Sequence, residues 1–271
     1  MITPRGVVTL GSFRLGGVST PRDEAPVLIA CGHGTRGSAG RRALAHLRLD
    51  VGALRPGLTV AAASVDVQKP ALDAAVRRLT GQGRRCVVVP LLLAAGYHVR
   101  VDVADAVAAG GGLAVAAAAL GPDPVLVDVL AERLAAAGTR PDDALVLGAA
   151  GSTDPAAVAD VEQVAADLAA RLVRPVTAGY LSAATPTVAD AVSAARDGGR
   201  PVALATFLLS PGFFADRLAA AGADRTGAPL APHPALARLV LRRYDDAVLG
   251  NGGRGRAAGL NGRAHGSGVA G

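Results

Sequence analysis

Val27-Leu28-Ile29-Ala30-Cys31-Gly32-His33-Gly34-Thr35-Arg36 is the stretch from which the rest of the chain is read. Five consecutive apolar residues without alternation are the pattern of a parallel strand, because a strand covered by helices above and below has no polar side. The run breaks at Gly32 and Gly34, which let the backbone turn sharply and approach a bound partner closely. His33 between them is thereby displayed at the carboxyl end of a strand, where open α/β sheets place their ligands.

Outward from this strand the chain keeps a strand-then-helix rhythm. A helix is expected over 38–54, where Ala43, Leu44, Leu47, Val51 and Leu54 recur at helical spacing and Pro56-Gly57 follows. Residues 58–64 form a second strand, and a helix opened by Pro70 runs to Gly81. Residues 86–93 form a third strand, leading into Ala94-Ala95-Gly96-Tyr97-His98 and a helix over 99–109. A fourth strand over 113–120 leads to Asp123-Pro124, a cap and first-turn proline for a helix to Ala137. Four strands each followed by a helix imply a parallel, doubly wound sheet with right-handed crossovers.

The pattern then recurs. Strands are expected over 144–148, 176–180 and 202–209, and helices over 155–172 and from Pro186. Leu230-Ala231-Pro232-His233-Pro234 restates Leu120-Gly121-Pro122-Asp123-Pro124. His33 to Ala150 is an offset of 117, Pro70 to Pro186 and His98 to Phe214 are 116, and Pro124 to Pro234 is 110. Near-constant offsets over half a chain mean internal duplication. The expected division is a flexible leader over 1–25, one α/β lobe over 26–138, a second over 143–249, and a Gly/Arg-rich disordered tail over 250–271.

Composition narrows the function. The formal charge of +6 is not a nucleic-acid footprint: Arg254, Arg256 and Arg263 sit in the glycine-rich tail, Lys69 is the only lysine, and no basic stripe interleaves with aromatics. No 20-residue apolar run free of charge or glycine suggests a membrane span. Cys31 ends one strand and Cys86 begins a parallel neighbour, so a disulfide between them is not expected. That agrees with a cytoplasmic protein.

Gly32-His33-Gly34-Thr35-Arg36, Val65-Asp66-Val67-Gln68-Lys69-Pro70 and, most specifically, Pro90-Leu91-Leu92-Leu93-Ala94-Ala95-Gly96-Tyr97-His98-Val99-Arg100 resemble the sirohydrochlorin chelatases. These enzymes insert cobalt or iron in cobalamin and siroheme synthesis, and the resemblance spans roughly residues 26–249. It implies the class II chelatase fold, two flavodoxin-like lobes facing each other across a cleft that holds metal and macrocycle. His33 and His98 match the family's metal-site histidines, which makes both the implied ligands and catalytic residues. Asp66 stands where many members carry a glutamate, and Thr35 where a serine is usual. No cofactor beyond the substrate ion, Fe²⁺ or Co²⁺, is implied, and no phosphate loop is present.

The chemistry of the residues agrees with the resemblance. Metal insertion removes two pyrrole N–H protons and moves an ion from water to four nitrogens, and neutral imidazole can both ligate and accept protons near neutral pH. A carboxylate adds charge to hold the dication or takes a proton. In the second repeat His33, Asp66 and His98 are matched by Ala150, Ser182 and Phe214, so the three candidate ligands are lost together. The second lobe is therefore read as an opposite wall, with Phe213 and Phe214 against the macrocycle, while Tyr97 beside His98 reads equally as a core residue or a macrocycle contact. Arg36 and Arg100, with Arg41 and Arg42, are candidate partners for the macrocycle's carboxylates. His46 is read as a solvated helix residue, His233 as part of a helix start, and Cys31 as a buried strand residue. Two other functions compete: a metal- or tetrapyrrole-binding protein without catalysis, which Asp66 favours, and a histidine phosphatase, which Gly32 argues against because that chemistry wants an arginine there. A single chain carrying both lobes is expected to act as a monomer.

Overall fold

The computed structural model describes residues 25–66, 68–94 and 96–261, apart from the side chains of residues 97–99 and 251–261. Residues 1–24 of the leader expected over 1–25 and the last ten residues of the tail lie outside the described residues. The first half runs β1 (Val27–Gly32), α1 (Ser38–Leu54), β2 (Val60–Ser64), α2 (Leu72–Gly81), β3 (Cys86–Pro90), α3 (Tyr97–Ala108), β4 (Ala114–Ala116) and α4 (Pro124–Ala136). The second runs β5 (Ala144–Ala149), α5 (Pro155–Leu172), β6 (Val176–Tyr180), α6 (Val188–Ala195), β7 (Val202–Phe207), α7 (Phe213–Ala219), β8 (Arg225–Thr226) and α8 (Pro234–Asn261). Each half contributes one wholly parallel four-stranded sheet, in the orders β2-β1-β3-β4 and β6-β5-β7-β8. The same order twice is the duplication seen in space. The flavodoxin-like lobes expected from the sequence are present.

Strand β1 explains its own composition. Val27, Ile29 and Cys31 pack with α2 and α3 residues such as Leu72, Val76 and Val103, while Leu28 and Ala30 face Leu44 and Leu47 of α1 on the other side. Side chains alternate across a strand, so apolar cover on both faces demands an apolar residue at every position. Cys31 pairs across the ladder with Pro90, and Cys86 pairs with Val27 at the other end; both thiols are buried and free. Burial pushes the Cys31 thiol up to about 12, so it is protonated near neutral pH, as a buried strand residue would be.

The terminal helix of each half crosses over to the other sheet. Helix α4 packs on β7 and α5, whereas α8 packs on β3, β4 and α1, and the two helices touch each other. One central core consequently joins Leu28, Val87 and Leu126 to Leu147, Leu204's neighbour Ala205 and Leu239. Polar contacts repeat the exchange: the Tyr244 hydroxyl of α8 donates to the Pro26 carbonyl at 2.7 Å, and Arg55 at the end of α1 forms a bidentate pair with Asp245 at 2.5 and 2.8 Å. Arg243 of α8 donates to the carbonyls of Ala119 and Leu120, and its counterpart Arg133 of α4 donates to those of Leu230 and Pro232. The expected caps are both in place, Asp123 accepting from the Val125 N–H and His233 Nδ1 from the Ala235 N–H.

Some boundaries differ from expectation. The fourth strand is three residues long rather than eight, since an edge strand needs only the partners β3 offers. Strand β8, two residues at the matching edge, is too short to leave a periodic signal. Helix α3 begins at Tyr97, not Val99, so His98 lies in its first turn. Helix α8 continues through 250–261, where composition suggested a structureless tail; extending a helix already formed costs far less than starting one.

Candidate metal centre and cleft

His33 follows β1 directly and is exposed; Asp66, also exposed, lies two residues beyond the neighbouring β2. Their loops are stitched together by backbone: the Val65 N–H donates to the Gly32 carbonyl and the Asp66 N–H to the His33 carbonyl, each at 3.1 Å. The Gln68 side chain adds a third tie, accepting from the Thr35 N–H at 3.0 Å, and Thr35 Oγ1 accepts from the Gly37 N–H. Gln68 is a positioning residue that motif spacing alone does not single out. His98 enters the same end of the sheet from α3, after β3, which pairs with β1. Its side chain and that of Tyr97 lie outside the described residues. Among the described residues no group of three His, Cys, Asp or Glu side chains is gathered for a metal.

The second lobe reproduces the scaffold without the donors. The Leu181 N–H donates to the Ala149 carbonyl at 3.0 Å and the Ser182 N–H to the Ala150 carbonyl at 3.1 Å, the same two bonds 116 to 117 residues on. Ala150 and Ser182 thus occupy the backbone positions of His33 and Asp66. Phe214 holds the second position of α7, as His98 does in α3.

The loops that carry these residues meet across the lobes as symmetry mates. A Cβ placed on Gly96 would lie 3.4 Å from Ser152 Oγ, and one on Gly212 3.7 Å from Thr35 Oγ1. Gly40 on α1 permits the closest approach, since a methyl there would come within 2.7 Å of the Pro211 carbonyl oxygen. Phe213 and Phe214 remain 72% and 42% exposed beside this junction, edge to face at 5.6 Å, with the Arg217 guanidinium 5.8 Å from the Phe213 ring. The two rings therefore offer apolar surface to solvent at the junction of the lobes.

The arginines divide. Arg36 is exposed, its carbonyl accepting from Arg41. Arg100 is engaged across the lobes with Asp154 at 2.8 Å, and Asp154 also caps α5 by accepting from the Ala156 N–H. Asp154→Ala removes cap and bridge together and is expected to cost about 1–2 kcal/mol, read as a lowered melting temperature. Among the described residues no helix is long and apolar enough to cross a membrane. His46 is exposed on α1, as expected.

Two duplicated flavodoxin-like lobes joined face to face through the loops at their strand ends are the architecture of the class II chelatases. The sequence profile of the CbiX family matches residues 27–137 and 144–247, and the chain belongs to this family of sirohydrochlorin chelatases. Among solved structures, SirB from Bacillus subtilis with Fe³⁺ is similar with a TM-score of 0.67 at 20% identity, over 82% of this chain and 95% of that one. The sirohydrochlorin chelatase SirB from Bacillus subtilis subspecies spizizenii in complex with cobalt gives 0.66 at 19%, over 82% and 94%. CbiX, the terminal enzyme for biosynthesis of siroheme in denitrifying bacteria, gives 0.58 at 23%, over 82% and 99%. A search of curated proteins finds no match.

Proposed function

We propose that this chain is a sirohydrochlorin chelatase that inserts Fe²⁺ or Co²⁺ into the macrocycle on the way to siroheme or cobalamin. The observation that carries the reading is the asymmetry of the two lobes: identical backbone stitching presents His33 and Asp66 in one and Ala150 and Ser182 in the other. If the polar residues served only the fold, the second lobe would need them too. In this reading His33 and His98 bind the substrate ion and accept the pyrrole protons, and Asp66 supplies the negative charge that holds the hydrated dication. Few protein ligands and an exposed loop suit an ion that must leave for the macrocycle. Phe213 and Phe214, with Tyr97, would face the ring, and Arg36 its carboxylates. Arg100 would have to exchange Asp154 for a substrate carboxylate to join them. The free thiols of Cys31 and Cys86 suit a cytoplasmic protein, and one chain carries both walls of the cleft, as a monomer requires.

The relatives whose structures hold iron and cobalt support both ions as candidates. The test is anaerobic absorption spectroscopy of sirohydrochlorin with Fe²⁺ or Co²⁺: insertion faster than in the protein-free control supports the reading. Asp66, one methylene shorter than the glutamate common in the family, favours a second reading in which metal or tetrapyrrole is bound without insertion. Binding with a rate equal to the control would select it.

A further inference from the structure

The first lobe contains a cavity that its twin fills. It lies against β2, between α1 and the loop leading to α2, with a volume of about 120 Å³, roughly ten times what a single water needs. Arg41 and Arg48, two turns apart on one face of α1, and Lys69 from the loop line it together with Leu44, Ser64 and Gln68. Among the described residues no carboxylate lines it. Arg41 donates to the Arg36 carbonyl, but among the described residues the side chains of Arg48 and Lys69 have no hydrogen-bond or ion-pair partner. Burial lowers the pKa of the Arg48 guanidinium, as expected for a charge partly withdrawn from water without a counter-charge.

The second lobe shows what this architecture looks like when it is closed. Ser64 pairs with Gly32, and Tyr180 pairs with Ala149; each then bridges to the segment that follows, Ala71 or Thr187. Tyr180 is therefore the counterpart of Ser64, and it is 1% exposed, filling the space. Val158, Ala165 and Thr185 stand at the positions of Arg41, Arg48 and Lys69. Ala165 and Tyr180 belong to the central apolar core, and Val158 packs against it. The first lobe has exchanged a ring for a hydroxymethyl and surrounded the resulting space with three cations. The space adjoins the candidate metal centre, because Gly32 and Gln68 form part of its wall, the one preceding His33 and the other holding the Thr35 N–H.

We propose that the cavity lined by Arg41, Arg48, Lys69 and Ser64 is a carboxylate-binding site that seats one acidic side arm of the tetrapyrrole beside His33. The assignment rests on the chelatase reading above, and a free small carboxylate is the other source of the same chemistry. The experiment titrates the metal-free full-length protein with sirohydrochlorin by absorbance, in wild type, Arg48→Gln, Lys69→Gln and Ser64→Tyr. Melting curves check folding, Co²⁺ affinity is measured without tetrapyrrole, and a second arm titrates succinate. The expected result is a Kd for sirohydrochlorin raised roughly tenfold by each loss of charge and by filling the cavity, with Co²⁺ affinity unchanged. Equal sirohydrochlorin affinity in wild type and in the folded variants overturns the site while leaving the chelatase reading standing. If wild type binds no sirohydrochlorin, that reading fails, and the succinate arm decides the cavity. Succinate binding abolished by Arg48→Gln keeps it as a carboxylate site for a free acid, and no succinate binding overturns it.

Discussion

Replacing His33 with alanine is expected to slow metal insertion by about 100-fold or more while leaving the protein folded, because a group that ligates the ion or moves a proton contributes on that scale. The residue sits exposed one position past β1 and takes no part in the core, so its loss should change stability by no more than about 0.5 kcal/mol. His98→Ala is expected to behave in the same way, and His46→Ala, on the solvated face of α1, to match wild type. The measurement is the initial rate of the sirohydrochlorin absorbance change with Co²⁺ or Fe²⁺, alongside a thermal melt. A wild-type rate in His33→Ala would falsify the site assignment, however the protein is later found to act.

The second large effect concerns the fold. A fragment ending near residue 140 is expected not to fold, although it contains a complete four-stranded sheet. It lacks α8, whose Leu236, Leu239 and Val240 are fully buried and cover β3 and β4. At about 2 kcal/mol for each such side chain, the loss is about 6 kcal/mol, comparable to the entire stability of an ordinary domain. The same fragment also strands the apolar face of α4, which belongs on β7. Circular dichroism and amide exchange on the separate halves and on their mixture provide the check. Folded, monomeric halves would show that the exchanged helices are dispensable, whereas recovery of native signal only on mixing is the expected outcome.

Much of this architecture was legible in advance. Runs buried on both faces identified β1 and β3, and the Pro-x-Pro restatement located the starts of α4 and α8, including His233 as a cap. The pairing of Ala150 and Ser182 with His33 and Asp66 followed from offsets alone and reappears as equivalent backbone hydrogen bonds. The helix exchange did not announce itself, because periodicity tells which face of a helix is apolar and nothing about which sheet will cover it. Arg100 was read from its nearness to His98 in sequence, while its partner Asp154 lies in the other lobe. The cavity was hidden for a related reason: Ser64 is unremarkable until register sets it against Tyr180, and only then does a small residue signify space.

The crossed helices bear on how a large flat molecule could get in. Hinging at the linker between α4 and β5 would require peeling α4 from β7 and α8 from β3 at the same time, exposing apolar surface on both sides. The spacing of the two lobes is therefore near-fixed, as in a solid block rather than in two jaws. A macrocycle held between the lobes, as proposed above, would then be selected by its thickness rather than by a closing motion, with the exposed Phe213 and Phe214 at the edge of its path.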